Sequence, residues 1–146
     1  MERMDASSKL PRLLVTIPAA FVAIMPPLAD LNDSHVFNAL WPGHARLHTA
    51  WLISANSLLS LFASWTMWRG PRAGTTEGVR TSGTIMAAIL GGFMVAAVTK
   101  SFYGGAFADA NGIQPVGDAI DANLLAFSIL FVLLIAAHFA SRRSAS

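Results

Sequence analysis

Apolar residues gather into four long runs along this chain, at about 13–29, 45–68, 81–103 and 122–141, and charged residues fall at their borders or between them. A helix rises about 1.5 Å per residue, so roughly 20 apolar residues cross about 30 Å of hydrocarbon. The pattern predicts four membrane-spanning helices in one domain, an all-α antiparallel up-down bundle. The first run is the shortest. Pro18 bends it and Pro26-Pro27 close it, because proline removes a backbone donor and crowds the preceding turn. Basic residues ahead of this run resemble a signal peptide, but no small-x-small cleavage site ends it and the double proline follows, so it reads as the first span.

Composition agrees with the pattern: of 146 residues, 54% are hydrophobic and 12% charged, against about 25% charged in an ordinary soluble domain. Charge then orients the bundle. Eight of the ten basic residues, Arg3, Lys9, Arg12, Arg69, Arg72, Arg80, Arg142 and Arg143, fall in the tails 1–12 and 142–146 or in the 69–80 connection. Four antiparallel spans place all three segments on one side, which the positive-inside rule makes cytoplasmic. The expected location is a multi-pass protein of the inner (cytoplasmic) membrane, in contact with membrane lipid. No basic patch with interleaved aromatics exists, so nucleic acid is not an expected partner. The chain has no cysteine, which excludes disulfides, thiolate metal sites and covalent c-type haem attachment.

The other side collects the polar chemistry. Asp30, Asn32, Asp33, His35, Asn38, His44, Arg46, His48, Lys100, Tyr103, Asp118 and Asn123 all fall at that end, a set too dense for a lipid-facing rim. The third span carries two rows of small residues, Gly83-Ala87-Gly91 and Ala88-Gly92-Ala96, which let helices approach closely in lipid. It is expected to pack on more than one side, against other spans or another subunit.

Within the polar end the stretch WPGHARLH, Trp41–His48, is the most specific feature. His44 and His48 are four residues apart and share a helix face. Trp41, His44 and Arg46 equally fit an interfacial anchor of belt tryptophan and snorkelling arginine. His48 lies a turn further into the apolar run, where an imidazole needs a partner or a function. A zinc site would require more ligands than these two histidines, and a protease-type site a glutamate that is absent. A haem with one axial ligand requires only His48, with Arg46 or Lys100 to meet its propionates. Ser54, Asn56 and Tyr103 offer hydrogen-bonding groups toward a cavity, or else interhelical bonds and a belt position. Lys100 also fits a snorkelling residue, and His138 reads as structural.

Ala45-Arg46-Leu47-His48 opening the second span, Phe102-Tyr103 closing the third and Gly117-Asp118 leading into the fourth resemble, in order and spacing, the landmarks of small four-span styrene oxide isomerases. His35–His48, HVFNALWPGHARLH, is also similar to a signature of small uncharacterised membrane proteins of bacteria and fungi. The isomerase resemblance implies a haem b ligated by His48, whose iron polarises an epoxide oxygen and rearranges the substrate to a carbonyl compound without net redox change. It implies pocket roles for Tyr103 and a second-span asparagine, and a homotrimer with haem near the subunit boundary. Three positions differ from that family. Ser54 stands where its asparagine would be, with Asn56 two residues further on and about 80° around the helix from His48. Val95 replaces an aspartate and His44 a tryptophan.

The expected function is thus a haem-dependent membrane isomerase of a small lipophilic substrate, with Tyr103, Asn56 and Asp118 as catalytic candidates and His48, Arg46 and Lys100 holding the cofactor. Two alternatives stand beside it. One is a cofactor-free sterol or terpenoid isomerase or cyclase, in which Asp30, Asp33 or Asp118 protonates an alkene and Trp51 stabilises the cation. The other is a non-enzymatic subunit or assembly factor that docks through its third span.

Overall fold

The computed structural model describes residues 9–107 and 121–143. It is all-α, with α1 Lys9–Asp30, α2 Gly43–Trp68, α3 Thr76–Thr99 and α4 Ala122–Arg143, and a single 3-10 turn, Lys100–Phe102, extending α3. The helices run alternately up and down. They neighbour one another in the order α1, α2, α3, α4 around a ring that closes from α4 to α1, with α1 also meeting α3 across the diagonal. Among the described residues, three segments are long and apolar enough to cross a membrane: Lys9–Asp30, Thr76–Phe102 and Ala122–Arg142. α2 is long enough too at 26 residues, but Thr49, Ser54, Asn56, Ser57, Ser60 and Ser64 make it the least hydrophobic of the four.

The core follows helical spacing on each element. Val15, Ala19 and Val22 of α1 pack with Ala63 and Met67 of α2, Val79, Met86 and Leu90 of α3, and Leu130, Leu134 and Ala137 of α4. Phe127 of α4 stacks on Phe93 of α3 at 4.2 Å and meets Phe21 of α1 edge-on at 6.3 Å, joining three helices in one aromatic layer. Small residues bring backbones close where α2 and α3 cross: buried Ser82 donates to the Ala63 carbonyl at 2.7 Å. In an apolar surround such a bond ties two helices by about 0.6 kcal/mol.

α1 departs from the sequence expectation at both ends. It begins at Lys9 and runs through Pro26-Pro27 to Asp30 instead of closing at the prolines. A helical Pro27 cannot donate to the carbonyl four residues back, which is Ala23. Ser57 of α2 supplies the missing donor, its hydroxyl reaching the Ala23 oxygen at 3.3 Å. A neighbouring span thus satisfies what the proline leaves open, as happens in membrane helices.

The pole holding the start of α1 and the end of α2 is locked by side chains. Arg12 lies 3.8 Å over the Trp68 ring and donates to the Met67 carbonyl at 3.4 Å, while Trp68 donates to Thr16 at 2.9 Å. α3 starts at a capped turn in which Thr75 accepts from the Gly78 amide at 3.0 Å and Arg72 pairs with Glu77 at 2.6 Å. Gly78 is required there: a Cβ would collide with the Arg72 carbonyl.

Candidate functional site

The opposite pole is built by the 31–42 connection and the first turns of α2. Two asparagines hold the connection. Asn32 donates to the Ala29 carbonyl at 2.7 Å and accepts from the Ser34 amide and hydroxyl at 2.9 and 2.6 Å. Asn38, almost fully buried, donates to the Ser34 carbonyl at 3.3 Å and accepts from the Leu40 amide at 2.9 Å. The backbone groups of a short loop are thereby satisfied locally. The chain leaves this loop through Pro42, whose missing N–H suits a helix start.

From that start, α2 turns one face inward and the other out. Ile53, Ser60, Ala63 and Met67 are buried against the bundle. His44, His48, Trp51, Leu52, Leu59 and Phe62 form the outer stripe, all exposed. His44 and His48 converge on that stripe: their Nε2 atoms are 3.0 Å apart and their rings meet nearly edge to face at 4.4 Å. Trp51 lies 5.9 Å beyond His48. Two ring nitrogens at this separation share one proton as donor and acceptor, or fit adjacent positions on one metal ion with bonds of about 2.0–2.1 Å. The chemically distinctive imidazoles therefore point away from the bundle interior.

The remaining sequence candidates are spread around this pole. Arg46 is half-buried and follows the inward side of α2. Asn56 is half-buried too, two turns deeper than His48. Lys100 places its ammonium 5.0 Å from the Phe107 ring. Tyr103 is exposed and spends its hydroxyl on the Ala96 carbonyl at 2.7 Å, which extends the end of α3. Asp118 lies outside the described residues. Among those described, no three His, Asp or Glu side chains converge as a metal cluster. Among the described candidates for a haem site, only His48 meets another metal-ligating side chain, that of His44.

Spacing alone did not reveal a second arrangement. His35 donates through Nδ1 to the Ser34 hydroxyl oxygen at 2.7 Å, since the hydroxyl proton goes to Asn32, lies with Nε2 3.9 Å from the Asp30 carboxylate, and packs edge-on to Trp41 at 5.5 Å. Asp30 and His35 were visible in the sequence among the polar residues of this end, but Ser34 was not singled out. Their order, a carboxylate 3.9 Å from an imidazole that is hydrogen-bonded to a hydroxyl, depends on the fold of the loop, which the pattern does not specify.

No curated protein and no solved structure matches the chain. Residues 14–144, which take in all of α1 but its first turn and the other three helices, match the model of a family of unknown function, DUF6640, and the chain belongs to that family.

Proposed function

We propose that the protein is a multi-pass enzyme of the inner membrane, with four spans and its helix ends at the basic pole cytoplasmic, that binds haem b through His48 and isomerises a small lipophilic substrate such as an epoxide. The observation that carries this reading is the pair of imidazoles on the outer stripe of α2, His48 Nε2 lying 3.0 Å from His44 Nε2. An ionisable pair facing lipid is costly without a ligand or a partner surface. His48 fits an axial ligand: it is exposed, and Leu47, Trp51 and Leu52 around it are apolar and exposed as well. When bound, the haem supplies a Lewis-acidic iron for an oxygen of the substrate.

The chain's own residues have definable tasks in that reading. His44 turns off the His48 nitrogen to free it for a ligand. Lys100, a charged residue of the same pole, would meet carboxylates, whereas Arg46 follows the inward side of α2 and is not placed to do so. The apolar stripe excludes water and accepts a lipophilic substrate from the bilayer. Tyr103 orients the substrate only after its hydroxyl leaves the Ala96 carbonyl. A ligand on an outward face is incomplete on one side, which favours a homo-oligomer that encloses it, a trimer by the resemblance.

The test is an absorbance spectrum of the purified protein. A Soret band is expected in the wild type and after His44→Ala, and its loss after His48→Ala. A wild-type protein without the band, prepared from haem-replete cells, overturns the reading.

One observation favours a cofactor-free alternative. The Asp30, His35 and Ser34 chain has the order of a proton relay, a carboxylate beside an imidazole beside a hydroxyl. It would carry acid-base isomerisation of an alkene, and it predicts a colourless protein inactivated by His35→Ala.

A further inference from the structure

At the basic pole an apolar trough opens between α3 and α4. Its volume is about 520 Å³, within the range of small-molecule sites. Gly83 and Ala87 of α3 and Phe131 and Leu134 of α4 form its floor and walls, and Arg80 and His138 stand at its mouth. The trough exists because of small side chains. A Cβ at Gly83 would meet nothing nearer than Val15 Cγ2 at 3.9 Å, so the glycine leaves room that a larger residue would fill. From Arg80 to Ala87 the trough runs about 10 Å along the helix axis, a polar mouth followed by a hydrocarbon wall.

Charge identifies the occupant. Among the described residues this pole has one carboxylate, Glu77, and Arg72 already holds it at 2.6 Å. Arg12 is turned inward onto Trp68. Arg80 is exposed, and among the described residues its side chain has no ion pair or hydrogen-bond partner. Its neighbours at the mouth, Thr84 and Ser141, spend their hydroxyls on backbone carbonyls, those of Arg80 and His138. The mouth therefore offers an unneutralised guanidinium directly above an apolar slot. A basic pocket between spans on the basic side of a membrane protein suits a phosphate-bearing headgroup.

We propose that this trough binds an anionic phospholipid, with Arg80 on the phosphate and an acyl chain along Gly83, Ala87, Phe131 and Leu134. The site is separate from the histidines of the other pole. It rests on the placement of the bundle in a membrane and stands or falls independently of haem.

The experiment is native mass spectrometry of the full chain released from mixed micelles containing equal phosphatidylglycerol and phosphatidylcholine. Retention of the anionic lipid is expected to exceed that of the zwitterionic one by about fivefold, the discrimination one basic side chain supplies at a lipid surface. Arg80→Gln should bring the ratio to near one, Arg80→Lys should keep most of it, and Arg142→Gln should leave it unchanged. Gly83→Leu should lower retention of both lipids. Arg80 is exposed, so its variants decide the question even if Gly83→Leu does not fold. Equal retention in the wild type, an undiminished preference in Arg80→Gln, displacement of the lipid by inorganic phosphate alone, or efficient chain-to-chain cross-linking through a cysteine placed at Thr84 would each overturn the proposal. The last result would put a second copy in the trough.

Discussion

The two poles of the bundle treat their polar side chains in opposite ways. At the basic pole a set of polar groups is absorbed by neighbouring elements, while Arg80 has no side-chain partner among the described residues: Arg12 is taken up by the Trp68 ring and the Met67 carbonyl, Trp68 by Thr16, the Glu77 carboxylate by Arg72, and the Gly78 amide by Thr75. These contacts cross between α1 and α2 or close the turn into α3, so they belong to folding. At the histidine pole the connection satisfies itself through Asn32 and Asn38, and α2 then places His44 and His48 on the face turned away from every other helix. Interhelical side-chain locks are concentrated in one pole and the outward-facing imidazoles in the other, and substitutions can separate the two.

The largest loss of stability is expected from Gly78→Ala. Its Cβ would overlap the Arg72 carbonyl, a backbone atom held by the Thr75 amide and hydroxyl at 3.2 and 2.7 Å. The turn must open or the helix start must shift, with a cost of about 2–4 kcal/mol, in the upper range for single substitutions. Unfolding of the purified protein by titration with a denaturing detergent reads this directly. A Gly78→Ala chain as stable as wild type would show that the basic pole is not the structural lock described.

Arg12→Ala comes next. The guanidinium stack on Trp68 and the bond to the Met67 carbonyl are lost together, about 1–2 kcal/mol for a partly buried pair of this kind. Lys at this position keeps the charge but not the planar stack, so Arg12→Lys should recover less than half of the loss in the same titration. Full recovery would reassign the contact to charge alone.

The contrast between poles also explains which features were legible in the sequence. Apolar periodicity marks helices well, and the four elements and their alternation follow from it. The start of α3 did not, because Thr75 caps a helix that begins at Thr76, so residues 76–80, expected in the connection, are helical. The end of α1 did not follow, because Pro26-Pro27 stop a helix in water, whereas here Ser57 of another helix replaces the lost donor. The i, i+4 spacing of His44 and His48 correctly put them on one face. Depth along α2 was readable from the apolar run, but facing was not. The residues that turn inward, Ile53, Ser60, Ala63 and Met67, are no more apolar than the outer Leu52, Leu59 and Phe62, since lipid accepts what a core accepts. The trough at the basic pole was hidden for a similar reason: Gly83 and Ala87 read as a packing row, and only α4's position shows that they leave a gap.

The smallest effect on stability is expected where the chemistry is sharpest. His44 and His48 touch each other and Trp51, and both are exposed on the outer stripe. Truncating an exposed side chain away from caps, cores and strained turns changes stability by no more than about 0.5 kcal/mol. His48→Ala and His44→Ala should therefore unfold with the wild-type detergent midpoint, while Gly78→Ala and Arg12→Ala shift it. The same pair of variants then isolates the site, because any change in bound ligand or activity cannot be charged to unfolding. If instead His48→Ala alone destabilised the protein as much as Arg12→Ala does, the imidazole would be holding an interface together, and the outer face of α2 would be a packing surface between chains before it is a ligand site.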